Sequence, residues 1–411
     1  MSERHPPWLS DPAVRRLLEA LDAGGVEARF VGGCVRDALL GIAGGDIDLA
    51  TPARPKAVIA ALETAKIKAL PTGLDHGTVT AVVDVAAKPR HFEITTLRRD
   101  VATDGRHAIV AFGVDWDEDA ARRDFTINAI YLSPEGTLYD PVGGRADLAA
   151  RRVRFVGDAA TRIAEDVLRI LRYYRFEARF GAGDGDAAAR AACRDAAARL
   201  PSLSAERVWR ELRGLLSLDD PIRALRMMNE DGVLATILPE ATRLDRFAAI
   251  ARPLGGSERP FPDIPLRLAA LIDIDRAGAI AVAERLRLSA DDRNRLADLA
   301  KPWPLAPDAR DKAQRRAVYR LGRERYCDLA LLLLAEERLG RTRFVKLTTL
   351  AQTWTIPAFP IGGDDVTALG MAPGPRVGWL LAAVKRWWEE GDFAADRTAC
   401  LARLKQIAGR P

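Results

Sequence analysis

Residues 27–49 read EARFVGGCVRDALLGIAGGDIDL, and this stretch decides the fold of the N-terminal part. A short strand, Glu27 to Val31, runs into Gly32-Gly33, and a helix is expected from Val35 to Leu40, closed by Gly41. Asp46-Ile47-Asp48-Leu49 then alternates polar and apolar residues, the pattern of a half-buried strand. Side chains two apart on a strand share a face, so Asp46 and Asp48 are expected side by side. Carboxylates so placed repel unless a cation holds them, and hard oxygen ligands suit Mg2+. The glycine pair lets backbone approach a phosphate, the helix it opens offers N–H groups, and Arg36 adds a forked donor. Alone, each element is better explained as a plain turn or a solvated strand edge. Their order and spacing together favour a phosphate-and-metal site.

Outward from this stretch the pattern extends in both directions. Asp11-Pro12 opens a helix with Val14, Leu17, Leu18 and Leu21 on one stripe, and Gly24-Gly25 stops it. Downstream, Thr78 to Val83, Phe92 to Thr95 and Thr126 to Leu132 read as strands. Residues 1–150 are therefore expected as a mixed α/β head. After Arg151 the runs 161–181, 187–199, 204–217 and 220–231 carry helical periodicity, as do 310–322, 325–338 and 341–351. Pro- and Gly-rich breaks at 252–265, 301–308 and 356–363 separate them. The expected fold class is α+β: a head at 1–150, a helical neck at 151–232, a body at 233–350 and a tail at 351–411.

Composition narrows the chemistry. The 411 residues suggest about two to four domains. Lys and Arg number 62 against 57 acidic residues, a formal charge of +5 that permits a polyanionic partner without demanding one. Residues 151–180 hold eight Arg against four carboxylates, so the excess is concentrated there. The four His (His5, His76, His91, His107) all precede residue 108, which excludes multi-imidazole chemistry from the rest. Cys34, Cys193, Cys327 and Cys400 are far apart, without a CxxC pair, and read as isolated thiols of a reducing compartment. The N-terminal MSERHPPWLSDP has no apolar core of a secretion signal. The apolar run Leu329 to Ala335 is far short of the ~20 residues that span a bilayer. A cytoplasmic location with no membrane association is expected.

Other charged residues recur at suggestive places. Glu93, inside an otherwise apolar strand, suits a third metal ligand or a solvent-facing carboxylate equally. Arg98 to Trp116 is polar and expected as a mobile loop. Arg122-Arg123-Asp124 followed by Asn128 suits a triphosphate and a ribose, or a charged helix end entering a strand. On a continuous helix, Asp166, Arg169 and Arg172 would share one face, which also describes an ordinary solvated face.

Taken in order, GGCVRD…DID, FEITTLRRD…DGR, RRDFTINA, AEDVLRILRYYRF and LSAERVWREL closely resemble the class II tRNA nucleotidyltransferases, the CCA-adding enzymes. That family shares a polymerase-β-like head with bacterial poly(A) polymerases. The resemblance is close over roughly residues 25–230, and FPIGGDDVTALGMAPGPRVGWLL resembles the family's C-terminal part. It implies that Asp46 and Asp48 hold Mg2+, with Glu93 as third carboxylate. Gly32, Gly33, Arg36 and Arg123 would bind the triphosphate, and Asp124 and Asn128 the ribose. Asp166 and Arg169 would read the base, supported by Arg172 and Arg175. The implied partners are tRNA as acceptor and CTP and ATP as substrates, with no protein partner.

The physics of base choice agrees with that assignment. Cytosine and adenine each set an amino donor beside a ring-nitrogen acceptor. A carboxylate accepts from the amine while a guanidinium donates to the ring nitrogen. Uracil and guanine invert both groups, and each buried mismatch costs about 1–3 kcal/mol. Within the family the rivals are a poly(A) polymerase and enzymes that add only CC or only A. The Arg- and Phe-rich signature loop associated with poly(A) polymerases is not apparent, and the full segment after Glu93 favours competence for the terminal A. An inactive RNA-binding relative would be expected to lose Asp46 or Asp48. An appended His-Asp phosphohydrolase is excluded, because no His follows His107. Lys346, Arg376, Lys385 and Arg386 are candidate phosphate contacts, or plain surface cations.

Overall fold

Aspartate caps and apolar spacing set the first helix, α1 (Pro12–Ala23): the Asp11 side chain accepts from the Ala13 amide at 2.8 Å. Val14, Leu17 and Leu21 are buried, each stabilising the fold by roughly 1.5–3 kcal/mol. The computed structural model describes residues 6–85, 88–103, 108–251 and 263–409. These form two compact units, Met1–Ala241 and Thr242–Pro411.

In the first unit the strands are β1 (Arg29–Val31), β2 (Asp48–Thr51), β3 (Lys68–Gly73), β4 (Thr78–Val85) and β5 (Lys88–Thr96). They continue with β6 (Arg98–Thr103), β7 (Ala108–Phe112), β8 (Tyr131–Leu132) and β9 (Leu138–Tyr139). Among the described residues seven make one mixed sheet, ordered β3-β4-β5-β2-β1-β8-β9, and β6 pairs with β7 separately. β2 and β5 run parallel, and the other neighbours antiparallel. Helices α2 (Gly33–Leu39) and α3 (Pro55–Thr64) follow β1 and β2. α1 and α3 pack together and on β4. Gly24 is required there, since a Cβ would stand 2.4 Å from the Ala61 Cβ.

The helices that follow are α4 (Trp116–Ala121), α5 (Gly144–Ala149), α6 (Ala159–Glu165), α7 (Leu168–Phe180), α8 (Ala187–Ala196) and α9 (Ala205–Leu216), then α10 (Ile222–Glu230) and α11 (Val233–Ile237). α7 is fastened to the head by aromatic packing of Phe125 with Phe155, Tyr173 and Phe176, at centroid distances of 5.0, 6.4 and 4.9 Å. Such pairs add about 0.5–1.5 kcal/mol each beyond burial. The residues expected as head and neck thus lie within one compact unit.

Four expectations are corrected. The strand holding the DID motif begins at Asp48, so Asp46 precedes it, although exposed Asp46, buried Ile47 and half-buried Asp48 keep the alternation. The segment after Leu97 is a hairpin, β6–β7, rather than a plain loop; Asp104, Gly105, Arg106 and His107 lie outside the described residues. Thr126 to Asn128 form a 3-10 turn before β8, because their side chains are committed locally: Thr126 Oγ1 donates to Asp147 at 2.6 Å and Asn128 Nδ2 to Asp124 at 3.0 Å. The helix expected over 161–181 breaks at Asp166 (φ −150°, ψ 107°), whose carboxylate accepts from the Leu168 amide at 3.0 Å and restarts the helix as a cap.

The 3-10 turn also fixes a close approach. A Cβ on Gly144, at the start of α5, would lie 2.1 Å from the Thr126 carbonyl oxygen, a backbone atom that cannot swing away. Gly144→Ala is therefore expected to destabilise the first unit by about 2–3 kcal/mol. Thermal denaturation checks this; an unchanged midpoint would mean that α5 has room to shift.

Among its described residues the regular elements of the second unit are helices, from Leu244–Ala251 to Arg397–Ala408, joined by loops. Its Arg246, 1% exposed, donates to the carbonyls of Ala269, Ala270 and Ile272 and pairs with Glu336 at 2.6 Å. Leu380, Val384, Trp388, Cys400 and Leu404 form a separate core cluster there. No helix among the described residues is long and apolar enough to cross a membrane.

Candidate active site

The sheet register builds the floor of a cleft. Asp48 of β2 stands opposite Glu93 of β5 in the parallel pair, so both carboxylates emerge from one face of the sheet. Asp46 sits close enough to add its charge. Burial, then the Glu93 and Asp46 carboxylates, push the Asp48 carboxyl up to about 6, while Arg123 opposes them. Three crowded hard oxygen donors fit a divalent cation, which would relieve this repulsion. A tighter acidic trio, Asp263, Glu324 and Asp328, lies in the second unit with ligand atoms within 4.8 Å of one another. There Arg295 Nη2 already fills the centre, 2.8 Å from Asp263 and 3.0 Å from Glu324 and in contact with Asp328. That trio is an arginine clamp.

The cleft over Asp48 and Glu93 has a volume of about 470 Å³ and is also lined by Gly32, Arg122, Arg123, His76, Thr78, Thr95 and Arg98. Gly32 has φ +77°, which favours glycine, and the next residues turn into α2. At seven residues α2 carries little macrodipole, so any hold on an anion there rests on amide N–H groups and nearby arginines.

Those arginines are aimed by a buried carboxylate. Asp119, 1% exposed, accepts from Arg122 Nε at 2.8 Å and Nη2 at 2.5 Å through Oδ1. Its Oδ2 accepts from Arg123 Nη2 at 2.9 Å and from the Tyr131 hydroxyl at 2.7 Å. Burial alone would raise its pKa, but Arg123 and Arg122 outweigh that and hold it below the usual carboxylate range. The sequence pattern alone does not single out Asp119. Its signal is the spacing to Arg122 and Arg123, three and four residues on and just past the end of α4, about one helical turn away.

Arg36 does not line this cleft. It is 5% exposed, donates to Asp37 at 2.8 Å and to Asn128 Oδ1 at 2.5 Å, and lies 4.1 Å from the Phe180 ring centroid. It is a buried strut, because its donors are committed and the Phe176 and Phe180 rings cover it. The strut continues: Asn128 Nδ2 donates to Asp124 Oδ1, and Arg172 donates to Asp124 Oδ2 at 2.9 and 2.5 Å. Burial would raise the Asp124 pKa, yet Arg172 and Asn128 hold it down. Arg175 Nε donates to Glu211 of α9 at 2.5 Å, and Arg172 approaches the same carboxylate at 3.8 Å.

Asp166 and Arg169 stand at the start of α7, one turn before Arg172. Asp166 pairs with Arg207 of α9 at 2.8 Å; Arg169 Nη1 donates to Glu165 at 2.5 Å and to the Arg162 carbonyl at 2.9 Å. The structure thus gathers Asp48, Glu93, Gly32 and Arg123 in one cleft. It links Arg36, Asn128, Asp124 and Arg172 as a continuous polar chain, and holds Asp166 and Arg169 in separate ion pairs at the head of the same helix. Thr78 and Thr95 carry no sequence signal, since only the β4–β5 register brings them to the cleft, and His76 joins them from the short turn before β4.

Comparison with known proteins matches this geometry. The family described as "Poly A polymerase head domain" matches residues 28–154, and "Probable RNA and SrmB- binding site of polymerase A" matches residues 186–244. A mitochondrial CCA tRNA nucleotidyltransferase 1 from Mus musculus is 34% identical over 393 residues, 92% of this chain and 87% of that protein. A CCA-adding enzyme from Streptococcus sanguinis is 32% identical over 412 aligned residues, 95% of this chain and 96% of that protein. The crystal structure of the Bacillus stearothermophilus CCA-adding enzyme in complex with CTP superposes with a TM-score of 0.76 at 28% identity, covering 98% of both chains. With that identity sustained over nearly its whole length and the fold shared with it, the chain belongs to the CCA-adding tRNA nucleotidyltransferase family.

Proposed function

We propose that the chain adds C, C and A to the 3′ end of tRNA from CTP and ATP, without a nucleic-acid template. One observation carries this reading: a carboxylate and a guanidinium, Asp166 and Arg169, head the helix whose next turn is tied by Arg172 to Asp124, the sequence neighbour of Arg123 in the acidic cleft. Such a pair selects C and A by hydrogen-bond polarity. In each round the 3′ oxygen of the RNA joins the α-phosphorus of the nucleotide, pyrophosphate leaves and the hydroxyl proton is released.

In this reading Asp46, Asp48 and Glu93 would hold Mg2+, which when bound would supply activation of the attacking oxygen and charge stabilisation for the departing pyrophosphate. Chelation by EDTA should abolish addition and Mg2+ restore it; activity persisting in EDTA would remove the metal assignment. Gly32, Gly33, Arg122 and Arg123 receive the triphosphate, and Asp124 with Asn128 faces the ribose. Arg36 braces Asn128 from behind, and Arg172 and Arg175 hold α7 in place. A cytoplasmic location belongs to the same reading, supported by four free thiols, and cell fractionation tests it.

Because Asp119 aims both arginines, Asp119→Asn should raise KM for CTP and for ATP alike, by about tenfold. Pyrophosphate inhibition should weaken in parallel while KM for tRNA stays put. A change confined to tRNA would place these arginines elsewhere. The overall reading is tested with tRNA transcripts ending in the discriminator base, in C and in CC. Products that stop at one defined length support it; a long A ladder supports a poly(A) polymerase.

A further inference from the structure

The cleft has a second flank that the roles above leave unused. In the sheet, Asp48 of β2 lies between β5 and β4 on one side and β1 on the other. Gly32 follows β1, and Arg123 reaches past it to Tyr131 of β8, so the proposed triphosphate seat is on the β1 side. On the opposite side Thr78 of β4 pairs with Thr95 of β5, their hydroxyls 3.1 Å apart. His76 stands two residues before Thr78. Arg98 follows β5, and its Nη1 donates to the His76 carbonyl at 3.1 Å. All four line the same cleft as Asp48 and Glu93. Nitrogen donors therefore flank the carboxylates on both sides.

In-line phosphoryl transfer requires the attacking and leaving oxygens on opposite sides of phosphorus. With the leaving pyrophosphate on the β1 side, the RNA 3′ hydroxyl must arrive from the β4 side, and its own 5′ phosphodiester trails within one nucleotide. Resting on the function proposed above, we infer that His76 and Arg98 receive the 3′-terminal phosphodiester of the RNA, beside the Thr78 and Thr95 hydroxyls. Arginine suits this task, since its planar fork matches phosphate oxygens. The bond to the His76 carbonyl restrains one end of a long side chain, so less freedom is lost on gripping the anion. The contact is blind to base identity. It serves the two C steps and the A step equally, unlike any residue that reads the nucleotide.

The test uses the full chain and tRNA ending either in the discriminator base, with CTP, or in CC, with ATP. Arg98→Ala should raise KM for tRNA about tenfold in both reactions, with KM for CTP and ATP within about twofold of wild type. Arg98→Lys should fall between. A methylphosphonate in place of the 3′-terminal phosphodiester should weaken wild type by the same factor and Arg98→Ala no further. This change on the RNA leaves the protein intact, so a folding defect cannot mimic the coupling. Equal losses in both proteins, or a rise in nucleotide KM instead, would overturn the inference while CCA addition stood. Wild-type protein that adds no CCA would overturn the parent reading and this one with it.

Discussion

Asp48→Asn is expected to slow both C and A addition by on the order of 10³-fold or more, because stabilisation of the attacking and leaving oxygens is lost. tRNA binding should change little, since Asp48 lies in the cleft floor and contributes repulsion, if anything, toward a polyanion. A second readout separates chemistry from folding. The Asp48 carboxyl titrates near 6 in the metal-free fold, above the ordinary value of ~3.9, chiefly through burial and then through Glu93 and Asp46. A carboxylate raised in this way favours the folded state least when ionised, so it penalises folding as pH climbs from about 4 through 6 and fully above. The neutral asparagine removes that penalty. The metal-free variant should therefore melt higher than wild type at pH 7 while being nearly inactive. Lower stability together with full activity would contradict the assignment on both counts.

Asp166→Ala should relax the choice among the four nucleotides more than it weakens triphosphate affinity. Two inverted hydrogen bonds of about 1–3 kcal/mol each separate CTP from UTP, and losing one should cut the kcat/KM ratio at least about tenfold. Asp166 is held by Arg207 at 2.8 Å, and both side chains are a quarter exposed, so the arginine is solvated once its partner is gone. Asp166 also caps α7 through the Leu168 amide, and Ala there costs about 1 kcal/mol. Asp166→Asn keeps an acceptor for the cap while adding donors toward the base, and so serves as control. Specificity unchanged in both variants would show that the head of α7 does not read the base.

The parts legible in the sequence are those whose logic is local. Gly32-Gly33 before a helix, Asp48 on a strand and the helical runs after Arg151 follow from periodicity and turn chemistry over a few residues. What stayed hidden depends on partners far along the chain. Arg36 reads as a phosphate donor until Asn128, 92 residues away, and the Phe180 ring are seen to occupy it. Arg172 is expected to support the head of α7, but its partner Asp124, 48 residues upstream, is visible only in the fold. The helix break at Asp166 is a milder case. An aspartate preceding an apolar run is a cap signal, but the Arg and Leu periodicity around it masks the boundary. Asp119 shows the reverse: its short-range spacing to Arg122 and Arg123 carries the information, but the arginine pair is the more conspicuous feature.

The most direct test of the central claim supplies tRNA ending in the discriminator base with all four nucleoside triphosphates and Mg2+, then sequences the added tails. The account predicts C, C and A in that order, with growth ending after the third nucleotide. Tails that contain U or G, or that run on as A, would contradict it.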